Sequence, residues 1–239
     1  MKNKYKIFSL ILLVILVSII IKENYIPRLK QKLFSDTSLT YFTNSPYYKE
    51  KLSKYDIYSK QANIVMLGTS FTDDIDWNEL LNRNDVINRG IGATTIATML
   101  DRMPYVLKLK PKICFIEGGI NDIDNNILLD TSIKQLETIV DILQKDSITV
   151  VLTAITYLAD IAPNYKKRNE KITAFNSELL KLAKQKNCTL INTNTTMAPN
   201  NLLRKDLCKY DGLHYLPAAY LLWKQEIEKV LKAKGYKPI

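Results

Sequence analysis

The chain has 239 residues, 46% of them hydrophobic and 24% charged, with a formal net charge of +10. That apolar share suffices for a packed core and excludes wholesale disorder, and the length allows one ordinary domain of up to about 200 residues with a short extension. The charge is unevenly placed: residues 1–32 carry seven Lys and Arg against Glu23, so most of the excess flanks one apolar segment. No basic stripe interleaved with aromatics marks a nucleic-acid partner.

The apolar segment, IFSLILLVILVSIII, runs from Ile7 to Ile21, fifteen residues without a charge. As a helix it spans roughly 22 Å, a little short of a bilayer core, with Tyr5 and Tyr25 placed for the two interfaces. No small-x-small cleavage site follows, since Lys22, Glu23 and Asn24 come next. Residues 1–32 read as an uncleaved signal-anchor, with a cleaved signal peptide and a buried core helix as the alternatives. A short N-terminal tail on the cytoplasmic side places the large domain outside. Residues 33–44 read as a linker and 45–239 as the catalytic-size domain.

In chain order, residues 45–60 have helical spacing, with Tyr48, Leu52, Tyr55 and Ile57 recurring and Pro46 at the start. The Tyr47–Tyr58 group reads as packing. NIVMLG (63–68) and DVINRGI (85–91) follow as buried strands. Residues 94–110 are helical, opened by Thr94 or Thr95, with a kink at Pro104. KICFIEGG (112–119) is a third strand. A clean helical period covers 130–146, SITVVLTAI (147–155) is the fourth strand, and a long helix covers 165–186. CTLINT (188–193) is the fifth strand, and 217–235 is a closing helix ending in glycine. Five strands alternating with helices predict a three-layer α/β/α sandwich around a five-stranded parallel sheet.

In such sheets function gathers beyond the C-terminal ends of the strands. Those positions hold GTSFTDDIDW with Ser70, NRGIGATT with Gly92 and Ala93, GGINDI with Asn121, and finally DGLH with Asp211 and His214. His214 is the only histidine of the chain. The set fits acyl transfer. A serine hydroxyl needs a base to become a nucleophile, and His214 is the one imidazole available as that base. Asp211, three residues earlier, can hold its Nδ1. The tetrahedral intermediate needs donors, and the candidates are the Ser70 N–H, a backbone N–H in Gly92–Ala93 and the Asn121 carboxamide. Each residue also has a plainer reading: Ser70 as a helix cap, His214 as structural, Asp211 as a cap of the last helix, Asn121 as a turn residue. Their joint occurrence at the strand ends favours the chemical reading.

These four blocks resemble the SGNH (GDSL-type) hydrolase superfamily over about residues 45–235, in that family's order and spacing. The resemblance implies a flavodoxin-like fold and a serine esterase that needs neither metal nor other cofactor. The stretch LGTSFTDDIDWNELL with NRGIGATT is particularly similar to small GDSL-type esterases acting on acetylated sugars and lipids. It implies an ester of a small molecule or glycan as substrate, and the N-terminal helix implies a membrane as partner. An O-acyltransferase of a cell-surface polysaccharide and a silent glycan-binding module are the alternatives. Two departures stand out. Thr69 replaces the aspartate of the family's Gly-Asp-Ser. Aligned without a gap, with Leu100 and Arg102 in register, the family's oxyanion glycine falls on Ala93, whereas a one-residue shift places it on Gly92.

Other expectations concern the surroundings. Glu117 is a buried partner in a polar network, and Asp122 orders its own loop. Asp73, Asp74 and Asp76 form a solvated acidic loop whose spacing matches no calcium loop. Of the three cysteines, Cys114 is a core residue, and a Cys188–Cys208 bridge is open. One histidine and scattered cysteines predict no zinc site.

Overall fold

Five short apolar runs become the strands β1 (Ile64–Gly68), β2 (Val86–Gly90), β3 (Ile113–Glu117), β4 (Thr149–Thr153) and β5 (Thr189–Ile191). The computed structural model describes residues 43–58 and 60–236. All strand pairs are parallel, in the order β2-β1-β3-β4-β5. Every residue of β1 is buried, as a central strand covered on both faces requires.

The helices are α1 (Pro46–Ile57), α2 (Ser70–Asp73), α3 (Trp77–Leu81), α4 (Ile96–Asp101), α5 (Met103–Leu107), α6 (Ile120–Asp124), α7 (Leu129–Lys145), α8 (Tyr165–Gln185), α9 (Asn194–Met197) and α10 (Pro217–Ala233). Their apolar stripes face the sheet. Leu136, Ile139, Val140 and Leu143 of α7, and Tyr220, Trp223, Ile227 and Leu231 of α10, recur at spacings of three and four and are buried. Helices α4, α7 and α8 pack side by side, and α10 packs on α3, giving the two outer layers. Each buried Leu or Ile contributes on the order of 1.5–3 kcal/mol of transfer free energy.

Register decides where function sits. Gly68 pairs with Gly90, and Leu67 pairs with both Arg89 and Ile116, so β1, β2 and β3 end side by side. The chain leaves β1 for β2 on one side and then crosses back to β3, which makes the mouth between β1 and β3 the switch point where such sheets bind ligands.

Several expectations change in detail. The helix expected over 94–110 is two helices, broken at Arg102 (φ −92°, ψ 11°), because Pro104 in the first turn of α5 has no N–H to continue α4. Thr95 sits at the N-cap of α4 but its side chain does not cap; the Asp122 carboxylate accepts the Ile96 N–H instead, at 3.1 Å. The short helices α2, α3, α6 and α9 carry too few residues to show a period. Cys188 and Cys208 are both free thiols, so no bridge joins them, and Cys114 is buried in β3. The expected signal-anchor (1–32) and linker residues 33–42 lie outside the described residues. Among the described residues no helix is long and apolar enough to cross a membrane.

Candidate active site

Ser70 is the first residue of α2, directly after β1 and Thr69. Helix α2 is held from several sides. The buried Trp77 indole donates to the Thr72 carbonyl at 2.9 Å, and the Tyr220 hydroxyl donates to the Phe71 carbonyl at 3.0 Å. Gly90 lets the helix lie on β2: a Cβ there would stand 2.5 Å from the Asp73 nitrogen, closer than any side chain tolerates.

The Ser70 Oγ lies 2.9 Å from His214 Nε2, and His214 Nδ1 lies 2.6 Å from Asp211 Oδ2. The spacing of Asp211 and His214 is a turn. Asp211 Oδ1 accepts the Leu213 N–H at 2.9 Å and the His214 N–H at 3.0 Å, while Gly212 takes the left-handed conformation at φ +70°. One carboxylate therefore shapes the loop with one oxygen and orients the imidazole with the other. Burial works against its ionisation, but the His214 ring and the two amides outweigh that and hold it below the usual carboxylate range. The backbone of this loop is pinned by Lys209 N–H to His214 O at 2.7 Å. The Phe71 ring, centred 5.4 Å from the imidazole, walls one side.

Asn121 is the second residue of α6 beyond β3, after Gly119, whose φ of +113° only glycine adopts easily. Its Nδ2 donates to the Thr94 carbonyl at 2.8 Å, which fixes the carboxamide and leaves its second hydrogen for a ligand. The two alternatives in the second block separate. Gly92 N–H donates to Asp73 Oδ2 at 2.9 Å and is thereby occupied. Ala93, at φ +58°, is exposed, and no hydrogen bond among the described residues takes its N–H. Of the donors expected for an oxyanion, the Ser70 and Ala93 amides and the Asn121 carboxamide are open, and Gly92 is not.

Thr69 is fully buried, and its N–H and hydroxyl both donate to the Glu117 carboxylate at 3.0–3.1 Å. Thr72 Oγ1 donates to the same group at 3.2 Å, as the expected polar network requires. Burial pushes the Glu117 carboxyl up, against these bonds and the charge of Arg102. Arg102 donates to the Gly68 carbonyl at 2.6 Å, just behind the serine. Where the family pattern carries an aspartate beside the serine, this chain has a hydroxyl bonded to a carboxylate from β3.

The acidic loop is not simply solvated. Asp73 is nearly buried and bonded to Tyr47 and Lys51 of α1, Asp74 pairs with Lys209, and Asp76 caps α3 through the Asn78 and Glu79 amides. Among the described residues no cluster of His, Cys, Asp and Glu could hold a metal ion. Asp122 orders its surroundings as expected, through Ile96 N–H and the Ser132 hydroxyl at 3.0 Å.

Residues 67–222 match the family model of the GDSL-like lipase/acylhydrolase family. The chain belongs to this family. Among solved structures, a GDSL-like lipase from Bacteroides thetaiotaomicron superposes with a TM-score of 0.69 at 21% identity, covering 78% of this chain and 98% of that one. A lipase/acylhydrolase from Enterococcus faecalis gives 0.63 at 25%, covering 75% and 99%. An acetylxylan esterase from Geobacillus stearothermophilus gives 0.60 at 16%, covering 76% and 99%, a likeness of fold alone. Curated relatives include N-acylneuraminate cytidylyltransferases of Streptococcus agalactiae, 24% identical over 203 residues, 82% of this chain. The chain spans about half (46%) of the length of those relatives.

Proposed function

We propose that this GDSL-like hydrolase is a serine esterase that removes short acyl groups, chiefly O-acetyl, from carbohydrate or lipid substrates through an acyl-enzyme. The observation that carries the reading is the line Ser70 Oγ–His214 Nε2–His214 Nδ1–Asp211 Oδ2, at 2.9 and 2.6 Å, at the switch point of the sheet. His214 takes the Ser70 proton as Oγ attacks the ester carbonyl. The negative charge on the carbonyl oxygen meets the Ser70 and Ala93 N–H groups and the free hydrogen of Asn121. As the tetrahedral intermediate collapses, His214 returns the proton to the leaving alkoxide and the alcohol departs. Water then repeats the cycle on the acyl-Ser70 ester, releasing the carboxylic acid.

The acetylated-sugar part of the reading draws support from two likenesses: the fold of an acetylxylan esterase, and a partial match to enzymes named for an N-acylneuraminate. The fifteen uncharged apolar residues Ile7–Ile21 support a membrane anchor. The test is hydrolysis of p-nitrophenyl acetate and of acetylated glycans by the wild type beside Ser70→Ala and His214→Ala. Each variant loses at least ~10³-fold in kcat while staying folded. Equal rates in all three proteins end the esterase reading.

A further inference from the structure

Asp73 closes helix α2, three residues after Ser70, and its side chain is only 7% exposed. Its carboxylate reaches two separate parts of the chain. Oδ2 accepts the Gly92 N–H at 2.9 Å and the Tyr47 hydroxyl at 2.5 Å, and Oδ1 receives Lys51 Nζ at 2.5 Å. Tyr47 and Lys51 are four residues apart on α1, hence on one face. The same helix grips the segment leading to Gly92. Tyr48 and Tyr55 are buried against Ile91, and Tyr55 donates to the Gly90 carbonyl at 3.3 Å. The Arg89 guanidinium lies 4.2 Å over the Tyr55 ring. Helix α1 lies outside the family-matched residues 67–222.

Gly92 sits over the nucleophile: a Cβ on it would stand 3.8 Å from the Ser70 Cβ. The next residue, Ala93, holds a left-handed backbone that alanine disfavours, so the loop needs an external hold to keep its N–H presented. We propose that Asp73 is a positioning residue for the oxyanion loop, and that helix α1 completes it by holding the Asp73 carboxylate through Tyr47 and Lys51. The proposal rests on the esterase reading and adds that transition-state stabilisation depends on a helix from outside the matched family region. Asp73 binds the Gly92 amide, the loop turns, and the Ala93 amide points to the site. Tyr47 and Lys51 hold the carboxylate in one rotamer, and they touch no reacting atom.

The experiment uses the full chain and p-nitrophenyl acetate, with kcat and KM measured separately, and affinity for a small boronic acid that adds to serine as a tetrahedral mimic. Asp73→Ala lowers kcat ~30-fold or more and weakens the boronic acid in parallel, with KM within about threefold of wild type. Asp73→Asn, which keeps an acceptor for Gly92 but not the charge, falls between. Tyr47→Phe with Lys51→Met lowers kcat roughly 3–10-fold in the wild type and adds nothing in the Asp73→Ala background, because the pair acts through Asp73. Tyr47 is 46% exposed, so Tyr47→Phe carries the test even if Asp73→Ala does not fold. Wild-type kcat in Asp73→Ala, with Ser70→Ala inactive, overturns the proposal and leaves the esterase reading standing. Additive losses in the combined variant overturn the role of α1. A wild type no faster than Ser70→Ala takes down both.

Discussion

Asp211 serves His214 twice: Oδ2 stands 2.6 Å from the imidazole Nδ1, and Oδ1 accepts the backbone N–H of the same residue at 3.0 Å. The two tasks separate by substitution. In Asp211→Asn the carbonyl oxygen still accepts the turn amides, so the loop is kept, but the imidazolium loses its counter-charge and its tautomer. The expected result is a fall in kcat on the order of 10³–10⁴-fold with an unfolding midpoint close to wild type. Asp211→Ala loses both and is less stable. Steady-state kinetics beside thermal denaturation of the two variants check this, and equal melting temperatures for Asn and Ala would contradict the double role.

Asn121 makes one hydrogen bond to the Thr94 carbonyl and has a second hydrogen to give. As an oxyanion donor it is worth about 2.7–4 kcal/mol in the barrier, so Asn121→Ala lowers kcat by roughly 10²–10³-fold. KM changes little, because the ground-state carbonyl is weakly held. A variant that raises KM with kcat unchanged points instead to substrate positioning.

Thr69 stands where the family carries aspartate, and Glu117 explains the exchange. A carboxylate already lies 3.0–3.1 Å from the Thr69 hydroxyl. In Thr69→Asp two acidic groups share a buried site and cannot both ionise. The variant is expected to lose roughly 3 kcal/mol at neutral pH, recovered in part as the pH falls and one carboxyl takes a proton. Thr69→Asp with Glu117→Gln is more stable than Thr69→Asp alone. Urea denaturation of the three proteins at two pH values measures it, and a neutral Thr69→Asp would count against the network.

Burial raises the Asp122 carboxyl to about 6, with bonds from Ile96 N–H and Ser132 offsetting part of the rise. An unfolded aspartate titrates near 3.9. Between those values the folded state binds more protons than the unfolded one, so this group's contribution to stability is greatest below about pH 4, falls as pH rises to about 6, and is then flat. A shift of about two units corresponds to ~3 kcal/mol. Asp122→Asn removes that slope and is at least as stable as wild type at pH 7. Unfolding free energies of both proteins from pH 4 to 7 test it; parallel curves contradict the assignment.

Much of the architecture was legible because it rests on short-range pattern. The buried runs of β1 and β3 and the apolar stripes of α7 and α10 announce a parallel α/β sheet, and the DGLH turn carries its own geometry. What escaped depends on contacts far apart in the chain. Nothing near Asp73 shows that it meets Gly92, Tyr47 and Lys51, which lie 19, 26 and 22 residues away, so an acidic run read as solvated. The bond that occupies the Gly92 amide was hidden in the same way. The i, i+4 placement of Tyr47 and Lys51 was visible, but a helix face does not name what it meets. Short helices such as α2 and α6 have no period to detect; they form because a strand end and a buried carboxylate hold them.

The proposed esterase chemistry requires that His214 make Ser70 a nucleophile. The most direct measurement is covalent labelling by a fluorophosphonate, followed by peptide mapping. One adduct is expected, on Ser70, formed at a rate that falls by at least ~10³-fold in His214→Ala and vanishes in Ser70→Ala. Labelling that is absent in the folded wild type, or that persists unchanged without His214, would contradict it.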